Sequence, residues 1–360
     1  MSRHLFFAAN TPDGFYQCFD DIMFLDEAQK IIYLKGSSGC GKSTLMKKVA
    51  SAFENMGSSV DYIHCSNNIT DLDGICVRDY GLSIIDATAP HVCDPSVPVA
   101  IDEILNLADY IGREQIAVHA GELLELSEQK KPYYEKACRY LSAAYVIYRN
   151  NHSIRERLLN KGELNSIIDR ETAGLALQPT EKPGRNRRMF AGAVTPQGLT
   201  NYLDTMLDGY SIVRIDGEDG TGSGALLAQI QKTANEGGLD TETCYSPWNT
   251  TKAEHLFIPE LHICYLTKHE YCSVTENVLR VIDLNSLCDT TELAKYNEEL
   301  AYNKKLFDEL LVKSMKMMAD QKIVHDRVEE IYVPCMDFES INAYTLNLIG
   351  RLTALPDKRE

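Results

Sequence analysis

Residues 31–50 read IIYLKGSSGCGKSTLMKKVA, and the fold is decided there. The apolar run Ile31-Ile32-Tyr33-Leu34 predicts a buried strand. It leads into Gly36-Ser37-Ser38-Gly39-Cys40-Gly41-Lys42-Ser43, which satisfies G-x-x-x-x-G-K-[ST] at every specified position. Thr44 follows, and helical spacing then places Leu45, Val49 and Phe53 on one face, with Lys47 and Lys48 on another. In a strand–turn–helix context, glycines let backbone N–H groups converge on phosphate oxygens, and the helix N-terminus adds its positive end. The expected ligand is therefore a nucleoside triphosphate held by residues 36–44. Lys42 would reach the β- and γ-phosphates, and the Ser43 hydroxyl would ligate Mg²⁺. Cys40 sits at a helix N-terminus, a position that can lower a thiol pKa, although it also fits as a filler of a variable position.

The chain repeats itself. Arg3-His4-Leu5-Phe6-Phe7-Ala8-Ala9-Asn10-Thr11-Pro12-Asp13-Gly14 is echoed by Arg187-Arg188-Met189-Phe190-Ala191-Gly192-Ala193-Val194-Thr195-Pro196-Gln197-Gly198. The strand and loop recur as Ser211-Ile212-Val213-Arg214-Ile215-Asp216, then Gly217-Glu218-Asp219-Gly220-Thr221-Gly222-Ser223-Gly224. This second loop keeps the glycines. Ser223 replaces Lys42, Gly224 replaces Ser43, and the acids Glu218 and Asp219 stand where phosphate would sit. Further strands are expected at 59–65 and 82–86, matched by 241–245 and 261–265. Alternation of strands and helices argues a mostly parallel sheet with covering helices in each half, followed by a helical extension. In the second extension, residues 292–329 lack Pro and Gly and read as one long helix or a hairpin, packed on its own domain. Asn303, Ser314 and Gln321 interrupt its apolar seams. Ile331-Tyr332-Val333-Pro334 reads as strand-like, and a last helix is expected near 339–352.

Leu82-Ser83-Ile84-Ile85 ends in Asp86, the position from which a strand-end carboxylate orders the Mg²⁺ shell. Tyr265 is expected at the matching place in the second half. Many fast ATPases follow that Asp with a Glu that orients water; here the residue is Ala87. His91 is the first candidate to move a proton instead, with His64 and Asp73 as further candidates. Each histidine could equally be a hydrogen-bonded structural residue. Ligands in α/β folds gather at the carboxyl ends of strands, where His64, Cys65, Asp86 and His91 could all lie. Arg78, Arg113, Arg139, Arg149 and Arg155 are available to stabilise phosphoryl charge. The guanine motif N-K-x-D is missing, because Asn160-Lys161-Gly162 is followed by Glu163 and Asn303-Lys304-Lys305 by Leu306. That favours ATP.

With 360 residues the chain is long enough for two cores, and a hydrophobic fraction of 44% with 24% charged residues is that of a globular protein. A formal net charge of −16 opposes broad contact with nucleic acid or an anionic membrane. No apolar run reaches the length of a membrane span, and no secretory leader is read at the start, so a cytoplasmic location is expected. The eleven cysteines show no C-x-x-C pair and read as reduced thiols. Lys182-Pro183-Gly184-Arg185-Asn186-Arg187-Arg188 is the one basic cluster and reads as a linker, with the join between halves near 179–188.

Asn10-Thr11-Pro12-Asp13-Gly14-Phe15, residues 36–44, His64-Cys65-Ser66, Leu72-Asp73-Gly74 and Asp86-Ala87-Thr88-Ala89-Pro90-His91 together resemble the uncharacterised bacterial tandem phosphate-loop proteins, described as ATPase or ATP-binding. The resemblance covers nearly the whole chain, and Thr195-Pro196-Gln197-Gly198 and Ile258-Pro259-Glu260-Leu261 extend it into the second half. It implies nucleotide binding and a doubled α/β fold, and supplies no substrate. Ser223 and Gly224 depart from its second loop. The expected organisation is α/β, two tandem P-loop NTPase-like domains: 1–182 with the intact loop and 186–356 with a degenerate one, the halves packed on each other. The expected cofactors are ATP and Mg²⁺. The expected activity is ATP hydrolysis at one site, with Lys42, Asp86 and His91 as its catalytic residues and Ser43 and Asp86 around the metal. Two other expectations stand beside it: a kinase acting on an unidentified small-molecule acceptor, and a nucleotide-gated interaction protein with little turnover.

Overall fold

Two copies of one α/β unit make up the computed structural model, which describes residues 1–175, 182–269, 271–272 and 277–358. In the first copy β1 (Arg3–Leu5), β2 (Ala8–Thr11), β3 (Gly14–Gln17), β4 (Lys30–Lys35), α1 (Lys42–Asn55), β5 (Asp61–His64), β6 (Leu72–Val77), β7 (Leu82–Asp86) and β8 (Asp102–Asn106) precede α2 (Arg113–Ala117), α3 (Ala120–Leu158) and α4 (Lys161–Ala173). The second copy repeats the order as β9 (Asn186–Met189), β10 (Gly192–Thr195), β11 (Gly198–Asn201), β12 (Ser211–Asp216), α5 (Ser223–Glu236), β13 (Thr241–Ser246), β14 (Asn249–Ile258), β15 (Ile263–Lys268) and β16 (Val278–Asp283). Helices α6 (Thr290–Ala294), α7 (Asn297–Tyr332) and α8 (Phe338–Leu352) follow.

The six-stranded sheets have orders β1-β5-β6-β7-β4-β8 and β9-β13-β14-β15-β12-β16, the same path walked twice. Both are mixed sheets in which most strands are parallel, as expected: five of the six run one way, and only β6 and β14 run antiparallel to both neighbours. Neither strand was expected as such, because Asp73-Gly74 breaks the β-rich pattern of β6 and β14 opens on polar residues. Strand β4 is interior, between β7 and β8, with α1 on one face and the contact with the second half on the other, so Ile31, Ile32, Tyr33 and Leu34 are all buried. Leu45, Met46, Val49, Ala50 and Phe53 form the buried face of α1, as Leu226, Leu227, Ile230 and Ala234 do for α5.

Pairing registers fix which residues correspond. Leu34 lies opposite Asp86 and Ile215 opposite Thr267, so Thr267, and not Tyr265, is the counterpart of Asp86. The halves meet about a pseudo-two-fold axis where Phe6 and its counterpart Phe190 exchange backbone hydrogen bonds of 2.9 and 2.8 Å. Phe6, Phe7, Phe190 and Phe257 belong to one buried cluster fed by both sheets. Beside it Arg3 pairs with Asp61 at 2.8 Å and Glu242 at 2.6 Å, and Arg78 reaches the same two acids. The basic cluster is not a linker in its described part. Residues Arg185, Arg187 and Arg188 surround β9 and pair with Asp26, Glu27 and Asp21 of the first half. Residues 176–181, which include Pro179, lie outside the described residues.

The helical extensions cross over. Helices α3 and α7 pack antiparallel: Leu126 meets Val324 and Val328, Ser314 donates to the Ala137 carbonyl at 2.8 Å, and Asn303 donates to Asn151 at 3.0 Å. Two of the three expected seam interruptions thus make bonds between the helices. Helix α7 therefore does not pack only on its own half, and it continues through Ile331 and Tyr332 into a short 3-10 turn rather than a strand. Beyond the pair, α4 packs on α5 of the second half, and α8 packs on α1 of the first. Each glycine loop is consequently walled by a helix from the other half. Among the described residues, no helix is long and apolar enough to cross a membrane.

Candidate functional site

The first loop opens onto a cleft of ≈ 350 Å³. Its walls are residues 37–44, the end of β7, the segment 88–91, and His325, Glu329 and Phe338 from the end of the chain. Gly39 and Gly41 take φ of 72° and 91°, and their counterparts Gly220 and Gly222 take 92° and 95°, so the two loops share one backbone. That conformation is open to glycine and strained for other residues.

Lys42 turns back on its own loop. Its Nζ donates to the carbonyls of Gly36 at 2.8 Å and Ser37 at 3.0 Å, and lies 3.5 Å from Asp86 Oδ2. The Ser43 hydroxyl accepts the Leu72 amide at 3.2 Å. Asp86 accepts the Thr88 amide at 2.9 Å, and the Thr88 hydroxyl donates to the Gly36 carbonyl at 3.0 Å. Ser37 Oγ is buried without a hydrogen-bond partner. On the other wall, Ser38 Oγ lies 3.2 Å from His325 Nε2 of α7, whose ring pairs with Glu329 at 3.5 Å.

Across the cleft stand Cys65, Asp73 and His91, which β5, β6 and the segment after β7 bring together. His91 Nε2 lies 3.5 Å from Asp73 Oδ1, and its ring stacks on Phe19. Burial pushes the His91 imidazole down to about 4, against the opposing pull of the Asp86 charge. Burial, aided by the Asp86 charge, pushes the Asp73 carboxyl well above the usual carboxylate range. Burial beside Asp73 likewise pushes up the Cys65 thiol. Cys40 is also raised, because burial outweighs Lys42 3.9 Å away, so its helix N-terminal position does not make it a reactive thiolate.

Of the expected groups, Gly39, Cys40, Gly41, Lys42, Ser43, Thr44, Asp86 and His91 all border this cleft, with Ser37, Ser38, Cys65 and Asp73. Gly36 lies just behind them and supplies the carbonyl that both Lys42 and Thr88 use. His64 points elsewhere: its Nε2 meets His4 at 2.8 Å, and its ring packs on Tyr202. None of the five candidate arginines lines the cleft. Arg78 is held by Asp61 and Glu242, and Arg155 lies at the second loop. The wall built by His325, Glu329 and Phe338 was missed, since no local signal tells a long helix which half to pack on.

The second loop also borders clefts, of ≈ 360 and ≈ 580 Å³, but its charges are arranged differently. Asp219 pairs with Lys252 at 2.6 Å and with His152 at 2.8 Å, while Arg155 reaches the Asp219 carbonyl at 3.4 Å. Burial would raise Asp219, but the His152 hydrogen bond and the Lys252 charge together hold it well below the usual carboxylate range. Glu254, the counterpart of Asp73, pairs with His269 at 3.1 Å. Ser246 holds the position of Cys65. No family model, curated protein or solved structure matches this chain, so its function has to be argued from these two loops.

Proposed function

We propose that the first half binds one nucleoside triphosphate, ATP, with Mg²⁺, and hydrolyses it slowly, and that the second half is a scaffold copy that binds none. The observation that carries this is the contrast at Lys42. In the first loop a lysine is held by loop carbonyls, a 3.9 Å contact with Cys40 Sγ and a 3.5 Å contact with Asp86, partners it can trade for phosphate oxygens. In the second loop that position is Ser223, and the cradle region already holds the Asp219 carboxylate, neutralised by Lys252 and His152. The unpartnered Ser37 hydroxyl and the Lys42 ammonium suit the loop to an anion, and the oxygens of Ser43 and Asp86 suit a hard cation such as Mg²⁺. That cation would neutralise charge on the phosphates.

The roles of the chain's own groups follow. Residues 36–44 orient the phosphates, with Lys42 countering their charge. Asp86 is itself oriented by the Thr88 amide. With Ala87 in place of a carboxylate, His91, which borders the cleft and whose ring held down to about 4 is neutral at pH 7, would serve as proton acceptor. Calorimetry with a slowly hydrolysed ATP analogue and Mg²⁺ tests the one-site proposal. One site per chain is expected, lost in Lys42→Ala and retained in Ser223→Ala. Two sites of similar affinity, or equal effects of the two changes, would overturn it.

A second reading is favoured by the contact of α7 with Ser38 and by Ala87: the nucleotide acts as a gate, with little turnover. Steady phosphate release without an acceptor supports hydrolysis. Tight binding with almost no release, together with a nucleotide-dependent change in hydrodynamic radius, supports the gate. ATP loss only on addition of a metabolite would instead indicate a kinase.

A further inference from the structure

We propose that Cys65, Asp73 and His91 form a binding site for a borderline-soft divalent cation, Zn²⁺ in the first instance, distinct from the Mg²⁺ expected beside the phosphates. Their ligand atoms all lie within 4.8 Å of one another, and Asp73 Oδ1 is 3.5 Å from His91 Nε2. Tetrahedral Zn²⁺ with sulfur, nitrogen and oxygen at about 2.0–2.3 Å sets its ligands about 3.3–3.8 Å apart. Closing the trio onto an ion therefore needs movements of about an ångström or less at each side chain. Three protein ligands leave a fourth position for water or a substrate oxygen, and all three residues border the cleft.

An independent observation points the same way. Asp73 is 3% exposed and its Oδ2 has no hydrogen-bond partner. A buried polar atom left unsatisfied is destabilising, and more so when the group is charged. The second half differs here: its counterpart acid, Glu254, lies 3.1 Å from His269 Nε2, and the thiol position is taken by Ser246. Only the first half keeps both the open carboxylate and the soft ligand. A cysteine nucleophile fits less well. That chemistry needs the imidazole beside the thiol and the carboxylate behind the imidazole. Here the carboxylate neighbours both, with Asp73 acting on the Cys65 thiol and contacting the His91 ring. The donor set of one thiolate, one imidazole and one carboxylate suits Zn²⁺ or Co²⁺ better than Mg²⁺.

This inference does not depend on nucleotide binding, although a bound cation would occupy His91 and exclude it as proton acceptor, and one experiment separates metal from nucleotide binding. The full chain is stripped with chelator, dialysed against Zn²⁺ or Co²⁺ without nucleotide, and assayed for bound metal and absorption. One equivalent is expected, with a thiolate-to-cobalt charge-transfer band in the near ultraviolet. Cys65→Ser loses the band and weakens binding at least tenfold. Cys65→His keeps the metal without the band, which covers the case in which the serine variant fails to fold. Lys42→Ala keeps both metal and band. No metal retained by wild type overturns the proposal. So does a band that survives in Cys65→Ser or folded Cys65→His, which would locate the metal at another of the cysteines. So does loss of the metal in folded Lys42→Ala, which would make it part of the phosphate site.

Discussion

The two glycine loops have one backbone and opposite electrostatics. Each follows a central strand and starts a helix whose buried face has the same spacing. In the first, a lysine is free to exchange weak internal partners for a ligand. In the second, an aspartate sits within a closed set of ionic bonds to Lys252 and His152. On the one-site proposal, the second loop keeps its shape while its own carboxylate, matched by Lys252 and His152, stands where a phosphate would otherwise sit. The expected effect on ligand affinity tests this directly. Lys42→Ala removes a charge-assisted contact of about 1.5–3 kcal/mol, so analogue affinity falls by about 10–150-fold in calorimetry. Ser223→Ala is expected to leave that affinity unchanged.

The second loop is tested through stability. Lys252→Ala leaves a buried carboxylate with His152 and the Tyr148 hydroxyl but no lysine to face it, and removing one partner of a buried pair costs about 3–5 kcal/mol. Asp219→Asn made together with Lys252→Met removes both charges and recovers most of that loss in denaturant unfolding. If Lys252→Ala cost under about 1 kcal/mol, the closed ionic set would be a surface feature, and the contrast between the loops would weaken. The analogous change in the first half, Lys42→Ala, has loop carbonyls, Cys40 Sγ and Asp86 to disturb, so its effect falls on binding rather than on folding.

Much of this contrast is legible in the residue order. The motif at 36–43, the lost Lys and Ser at 223 and 224, and the acids at 218 and 219 stand in the sequence, and the repeat aligns them. The strand β7 ending in Asp86 is also readable from its apolar run. The antiparallel strands β6 and β14 are not, because Asp73-Gly74 and Asn249-Thr250-Thr251-Lys252 look like loop, and sheet pairing overrides local propensity there. An unseen β14 hides the role of Lys252, which lies on that strand. The register that makes Thr267 the partner of Asp86 is a property of strand pairing, and apolar alternation alone left a two-residue error. The crossing of α3 and α7 is least legible of all. Amphipathic spacing says that a helix is buried on one side, but not whose surface buries it.

The second half adds one acid-sensitive group at a position where the first half has none. His255 on β14 is fully buried, its Nε2 lies 3.7 Å from Cys272 Sγ, and its first-half counterpart is Gly74. Burial lowers its pKa to about 4. The neighbouring Glu254 charge acts in the opposite direction, and His269 and Lys252 act with burial. A native pKa below the unfolded value of about 6.5 means that the unfolded chain binds the proton first as pH falls. The stabilisation is thus fully present above pH ~6.5 and is lost progressively towards pH ~4, up to about 3 kcal/mol. His255→Met should show a shallower decline over that window, by up to about 1.4 kcal/mol per pH unit. Identical slopes for the two proteins would mean that His255 does not titrate with unfolding.

The smallest expected difference sets the loops side by side at equivalent glycines. Gly39→Ala and Gly220→Ala share the cost of a side chain in the left-handed region, about 1–2 kcal/mol, which cancels between them. What remains is the wall each new methyl group meets. At Gly39 it is the Val333 side chain, 2.9 Å from the methyl position, which can turn aside. At Gly220 it is the His152 backbone carbonyl of α3, 2.4 Å away, which can retreat only if the helix does. Gly220→Ala is therefore expected to destabilise by about 1–3 kcal/mol more than Gly39→Ala in denaturant unfolding. Equal costs would mean that α3 lifts off the second loop as easily as Val333 moves, and that the closed loop is clamped by its charges and not by the crossing helix.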